Sequence, residues 1–307
     1  MKKPFLLTVL VFSASLAHAS YDLILAVDEG SNRISRIDGS SGSFLGSFGI
    51  NAFGRPDQIA VQPGTSFVYV TDQIRRTASV WNYSTGLAVN EFSIGGAVNK
   101  GTGIGFLPDG DLIVMTDTSL RKMSAGGSLI SSIGLPGDGY SMAISSEGDI
   151  VVFGADFYRR YDSNLLQQAG GAQSQGLYGN GYFRDQNTVV FSNYLSGQIV
   201  TYDVSGSGVA PITGVYASGS LNTPLGVAPG HGPYFYSAAY LNAQGVPGVV
   251  RGSLVSQSFS PTPVYLGNAS NAYRGIATVI APEPSTMIAL GAGIFAFARK
   301  RRARTGS

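Results

Sequence analysis

Six short runs in this chain end alike, and their spacing limits the folds available to it. "LILAVDE", "FVYVTDQ", "LIVMTDT", "VVFGADF", "VVFSNYL" and "YFYSAAY" are apolar, β-branched or aromatic, and close on a small or hydroxyl residue, often with Asp. Aligned on Asp28, Asp72, Asp117, Asp156, Asn193 and Ala238, they recur at intervals of 44, 45, 39, 37 and 45 residues. Runs of this composition favour strands over helices.

A strand-bearing period of about 40–45 residues points to propeller blades rather than helical repeats. The flanks agree. Upstream lie turn pairs such as Pro63-Gly64, Asp109-Gly110, Glu147-Gly148 and His231-Gly232, which supply the positive φ of tight hairpins. Before them come short apolar strands, "DQIAV", "GTGIGF", "YSMAI", "NGYF" and "PLGVA", and after each run a third and often a fourth strand. The first unit starts at its second strand, and an unassigned first strand, "YRGIATVI", lies at the other end. The reading is an all-β, six-bladed β-propeller over residues 20–281, closed by pairing Gly275–Val279 beside Leu23–Val27. Such closure removes exposed sheet edges.

Both ends carry addresses. Lys2 and Lys3, an apolar run from Phe5 to Leu16, and the small-x-small Ala17-His18-Ala19 form a secretory signal peptide over residues 1–19, cut before Ser20. At the other end Pro282-Glu283-Pro284 precedes an uncharged run from Met287 to Ala298 and the basic flank Arg299, Lys300, Arg301, Arg302. As a helix that run rises roughly 18 Å, short of the roughly 30 Å bilayer core. Its basic flank obeys the positive-inside rule, and snorkelling Arg and Lys extend its reach. Residues 282–307 are thus expected to be an anchor segment, whose short hydrophobic helix, Met287–Ala298, holds the chain at the membrane.

The charge sits at these ends. Between them seventeen Asp and Glu outweigh thirteen Lys and Arg, so the body is about −4 and lacks the basic footprint of nucleic-acid binding. With no cysteine and one histidine after the signal, His231, thiol catalysis and His-rich metal sites are excluded. His231 lies in Pro-Gly-His-Gly-Pro, a turn.

Carboxylates remain. Asp28, Asp72, Asp117 and Asp156 end successive strands, with Arg33, Arg76, Arg121 and Arg160 following. They read either as hairpin caps paired with Arg or as a polar ring at one channel mouth that binds a cation or an anionic ligand. Of the glutamates, Glu29 and Glu147 read as turn residues and Glu91 as an outward residue of a fourth strand. Twelve of sixteen tyrosines fall at or after Tyr158, and Tyr236 and Tyr240 are candidates for stacking on sugar rings.

"RPDQIAVQPGTSFVYVTDQ", "PDGDLIVMTDTSLRKMSAGGSLISSIG" and "RGIATV" resemble NHL-repeat and related six-bladed propellers, the last two blades departing most. The resemblance implies the fold but no activity. The tail, with Ala281 where valine is usual, resembles the PEP-CTERM sorting signal of exported Gram-negative proteins, which implies an exosortase-type processing enzyme at the inner membrane as partner, then release to the cell surface or outside. The expected function is a binding module of the envelope or extracellular matrix, with polysaccharide or an envelope protein as ligand and no cofactor. The alternative is a calcium-dependent lactonase-like hydrolase, which needs oxygen ligands converging on one Ca2+.

Overall fold

The computed structural model describes residues 22–96, 103–172, 177–217, 221–241, 246–256, 258–259, 263–267 and 272–280. The signal peptide with Ala17 and Ala19, the motif Pro282, Glu283, Pro284, the expected helix and the flank Arg299–Arg302 lie outside them. The described residues are all-β, and among them no helix is long and apolar enough to cross a membrane.

The strands form antiparallel sheets in a propeller-like arrangement, mostly of four strands in the order met along the chain. Pro56–Val61, Phe67–Asp72, Thr77–Asn82 and Ala88–Ser93 make one such sheet. An eight-stranded sheet joins two sets of four through a short parallel contact of Ser141 with Gly179 and Met142 with Asn180. The last strand, Tyr273–Val279, pairs antiparallel with the first, Leu23–Asp28, so that Leu23 faces Val279 and Ala26 faces Ile276.

Burial falls from the middle of each sheet to its rim, and the sequence shows why. Second strands such as Leu112–Met115 and Ile150–Gly154 are buried throughout, because neighbouring sheets cover both faces. They therefore read as unbroken apolar runs rather than alternating ones. Fourth strands such as Ala88–Ser93 and Leu129–Gly134 are largely exposed. Between sheets the core is aliphatic and aromatic: Leu25, Ile34, Val68 and Val70 pack in one cluster, Phe153, Phe191 and Tyr202 in another. Each such side chain contributes about 1.5–3 kcal/mol by burial.

Hairpins use the expected chemistry. Gly64, Gly110, Gly148 and Gly232 all have positive φ. Asp38, Asn82, Asp185 and Asn193 each accept two backbone N–H bonds from the turn that follows them. These side-chain acceptors mimic a backbone turn and set where the strand stops. The repeat markers need one correction. Asp28, Asp72 and Asn193 end their strands, but Asp117 and Asp156 lie two residues past theirs, and Ala238 is inside the longer strand Tyr234–Leu241. A run of apolar residues does not reveal where its ladder ends.

Candidate functional site: an axial polar cluster and an aromatic groove

Register defines two ends of the molecule. Tyr273 pairs with Asp28, Pro56 with Asp72 and Leu177 with Asn193, so first strands begin where second strands finish. At that end the second residues of three first strands, Asp57, Tyr178 and Arg274, converge. The Tyr178 hydroxyl donates to Asp57 Oδ1 at 3.2 Å and accepts from Arg274 Nη1 at 3.0 Å. Gln73 Nε2 donates to Asp57 Oδ2 at 2.9 Å. Arg274 Nε also donates to Glu29 Oε2, and Arg55 Nε donates to Glu29 Oε1 at 2.7 Å. Burial pushes the Tyr178 hydroxyl pKa well up, and the Asp57 carboxylate adds to the shift. Burial alone would raise the pKa of Glu29, yet the two guanidinium groups hold it below the ordinary carboxylate value.

Deeper along the axis Asn180 ties three first strands together. Its Nδ2 donates to Ile104 O at 2.7 Å and Ile59 O at 3.3 Å, its Oδ1 accepts from Ile104 N at 3.2 Å, and its own N–H donates to Gln58 Oε1 at 3.0 Å. Gly179 permits this approach. Its φ is +77°, and a Cβ there would lie 2.3 Å from Leu225 O. The Asn180 and Gln58 amides thus link the starts of three sheets by hydrogen bonds.

The expected aspartate ring takes another form. Asp28 Oδ1 accepts from Ser31 N at 3.1 Å and Ala272 N at 3.0 Å, while Oδ2 pairs with Arg33 at 3.2 Å. Asp72 accepts from Gly54 N at 2.5 Å, Arg55 N at 3.1 Å and Arg75 N at 3.0 Å. Both carboxylates clamp the loop entering their own sheet to the hairpin leaving it. The cation near Asp72 is Arg75, at 3.9 Å, rather than Arg76, which is exposed and has a positive φ. Arg160 pairs with Asp149 at 2.7 Å, not with Asp156, which is exposed. Asp117 is buried, and Arg121 Nε donates to Ser119 Oγ at 3.3 Å. Glu29 is more than a turn residue, since it holds two arginines. Among the described residues no group of three or more His, Asp and Glu is placed to hold a metal ion.

Two further expectations change. Tyr236 is buried, its hydroxyl donating to Asp22 Oδ2 at 2.8 Å, so it offers no stacking surface, and the Tyr240 side chain lies outside the described residues. His231 is half-buried, its backbone N–H bonded to the same Asp22 oxygen at 2.9 Å.

At the opposite end, where first strands finish, lies a groove. A cavity of about 510 Å3 lined by Ile144, Glu147, Tyr182, Phe183, Arg184 and Pro229 adjoins one of about 290 Å3. The second shares Tyr182, Phe183, Arg184 and Pro229 and adds Tyr234 and Leu254. Tyr182 packs on Val190, Ile199 and Phe235, which fixes its ring, and burial raises its hydroxyl pKa. Tyr234 is 43% exposed, with the Arg251 guanidinium 5.0 Å from its ring centre.

Comparison with known proteins separates tail from body. Residues 281–302 match the PEP-CTERM protein-sorting motif, which implies an exported chain with a C-terminal anchoring tail, processed by an exosortase-type enzyme. No curated protein matches the chain. The structure is similar to that of a Bacteroides caccae protein of unknown function, with 11% identity and a TM-score of 0.64 over 85% of this chain and 99% of that one. A functionally unknown Desulfotomaculum acetoxidans protein is similar with 18% identity and a TM-score of 0.53, over 79% of this chain and 78% of that one. A chain of a nidogen/laminin complex is similar with 10% identity and a TM-score of 0.64, over 84% of this chain and 98% of that one. At such identities the likeness concerns the fold alone, and what the sequence itself shares with a known family is the PEP-CTERM sorting motif over residues 281–302.

Proposed function

We propose that this chain is an exported envelope or matrix protein whose body is a six-bladed propeller serving as an interaction module. The single observation that carries the reading is the sorting motif, which begins at residue 281, two residues beyond the last strand. The body is thereby a compact unit set directly on a sorting tail. Support for six blades comes from the first strands, which contact one another in cyclic order, Tyr273–Val279 lying between Leu221–Pro229 and Pro56–Val61. In this reading the eight-stranded sheet is two blades, and Tyr273–Val279 completes the blade of Leu23–Asp28.

An interaction role suits the chemistry. The axial carboxylates Asp57 and Glu29 are engaged by Tyr178, Gln73, Arg55 and Arg274 rather than turned toward a common point. A related fold takes part in a protein complex, that of nidogen and laminin. Processing delivers the body to the cell surface or beyond, where polysaccharide or an envelope protein is its ligand. The test is expression in a producing strain with and without its exosortase, with epitopes placed before and after Pro282-Glu283-Pro284. Loss of the distal epitope and release of the body only with the enzyme supports the reading. An intact tail in both strains overturns it.

A further inference from the structure

We propose that the groove of Tyr182, Phe183 and Pro229 is the seat of this chain's own segment Ala281–Pro284, which lies against the propeller body before processing. The proposal needs only the sorting tail and is independent of which partner the body binds.

Chain path comes first. Thr278 Oγ1 donates to Pro229 O at 2.6 Å, and Pro229 lines both halves of the groove. Val279 is held opposite Leu23, and Ile280 is 44% exposed. Pro282 follows Thr278 by four residues, which span at most roughly 14 Å. The motif therefore begins within one short extended stretch of the groove wall.

Sequence supplies a matching ligand. Proline fixes φ at Pro282 and Pro284 and pushes Ala281 and Glu283 toward the same extended conformation. Such a segment loses little entropy on docking, and aromatic-lined grooves are its usual receptor. Here Phe183 and the exposed Tyr234 provide ring surface, and Tyr182 is fixed from beneath.

Charge agrees as well. Glu283 is the only acidic residue after Asp203, and Arg184 is an exposed cation shared by both halves of the groove. Docking in this register brings the two together. The seated motif is shielded, and a processing enzyme must lift it out before cleavage.

The full chain in detergent tests this. A photocrosslinking amino acid is introduced at Val255, which is 78% exposed and lines the groove, and separately at Ile74, 69% exposed at the far end. Crosslinked peptides are identified by mass spectrometry. Capture of residues 281–286 from Val255 and not from Ile74 is expected. Arg184→Glu and Glu283→Arg should each lower the yield about two- to fivefold, the range an exposed ion pair supports, and the double reversal should restore it. No capture from Val255, equal capture from both positions, or yields indifferent to both reversals overturns the proposal. A groove that takes a saccharide or another protein instead gives the first of these results. Processing by the exosortase is scored separately in the same variants, so failure of the sorting reading is distinguishable from failure of the seat.

Discussion

Tyr178 donates a 3.2 Å hydrogen bond to Asp57, 121 residues away in sequence, and so fastens two sheets at the axis. The same hydroxyl accepts from Arg274 and Gln73, so one oxygen joins an anion, a cation and an amide. Tyr178→Phe keeps the ring and removes this junction. Buried groups left without a partner cost about 1–3 kcal/mol, and urea denaturation should show a loss of that size. A change below about 0.5 kcal/mol, the level of an ordinary surface substitution, would mean that the remaining partners suffice.

Acid should weaken the fold through Glu29. Its folded-state pKa lies below the ordinary value of 4.5: burial opposes this, and the hydrogen bonds of Arg274 and Arg55 outweigh burial. A depressed carboxylate stabilises the fold fully above its unfolded value, and that contribution is lost as pH falls through the folded one. Denaturation midpoints measured from neutrality to below pH 4.5 should fall in that window, and Glu29→Gln should flatten the fall. Equal slopes for both proteins would remove Glu29 from the account.

Gly275 marks a close approach between first strands. A Cβ there would lie 2.6 Å from Asp57 O and 2.8 Å from Gln58 Cα, both backbone atoms that cannot rotate away. Gly275→Ala is expected to cost about 1–3 kcal/mol by overpacking. At Gly134 a Cβ would meet nothing within 4 Å, so Gly134→Ala serves as the neutral control. Thermal unfolding of the pair reads the difference directly.

Removal of the last strand should expose the first. Leu23–Asp28 would lose the ladder to Tyr273–Val279 and present Ile24, Leu25 and Val27, all 0% exposed in the intact protein, at a bare edge. Unpaired apolar edges recruit other chains. A chain ending before Tyr273 should elute as aggregate in size-exclusion chromatography, whereas one ending at Ile280 should elute as a discrete species.

Calcium should leave the melting temperature unchanged. At the axis the acids are already bonded to side chains of this protein: Asp57 to Gln73 and Tyr178, Glu29 to Arg55 and Arg274. Ca2+ prefers six to eight oxygen ligands and competes poorly against guanidinium groups seated on the same carboxylates. Thermal unfolding in millimolar calcium and in chelator checks this. A clear upward shift with calcium would revive the lactonase-like alternative.

Strand content, the repeat, the turn glycines and the sorting tail were legible because each rests on local chemistry. Apolar runs, positive-φ glycines at positions such as Gly64 and Gly110, and the order Pro-Glu-Pro, apolar run, basic flank need no knowledge of distant residues. The aspartate ring was half legible. Asp28 and Asp72 do sit at one end, but their oxygens are spent on loop N–H groups that the repeat pattern could not name.

The axial cluster lay hidden because its members are each ordinary strand-start residues. Asp57, Tyr178 and Arg274 occupy the same position of three different first strands, and that column mixes an acid, a phenol and a base where a purely structural repeat would keep one type. Aligning the units on their first strands would have exposed it. Whether those side chains meet depends on sheet twist and on how far Gly179 lets one strand move toward the axis. The aromatic groove depends likewise on which ends of separate sheets adjoin. Hydrophobic patterning and turn chemistry act over a few residues, so the chain alone dictates its strands, hairpins and address. The pairing of Glu29 with Arg274, 245 residues apart, and the shape of the groove come from packing between sheets, which no local run encodes.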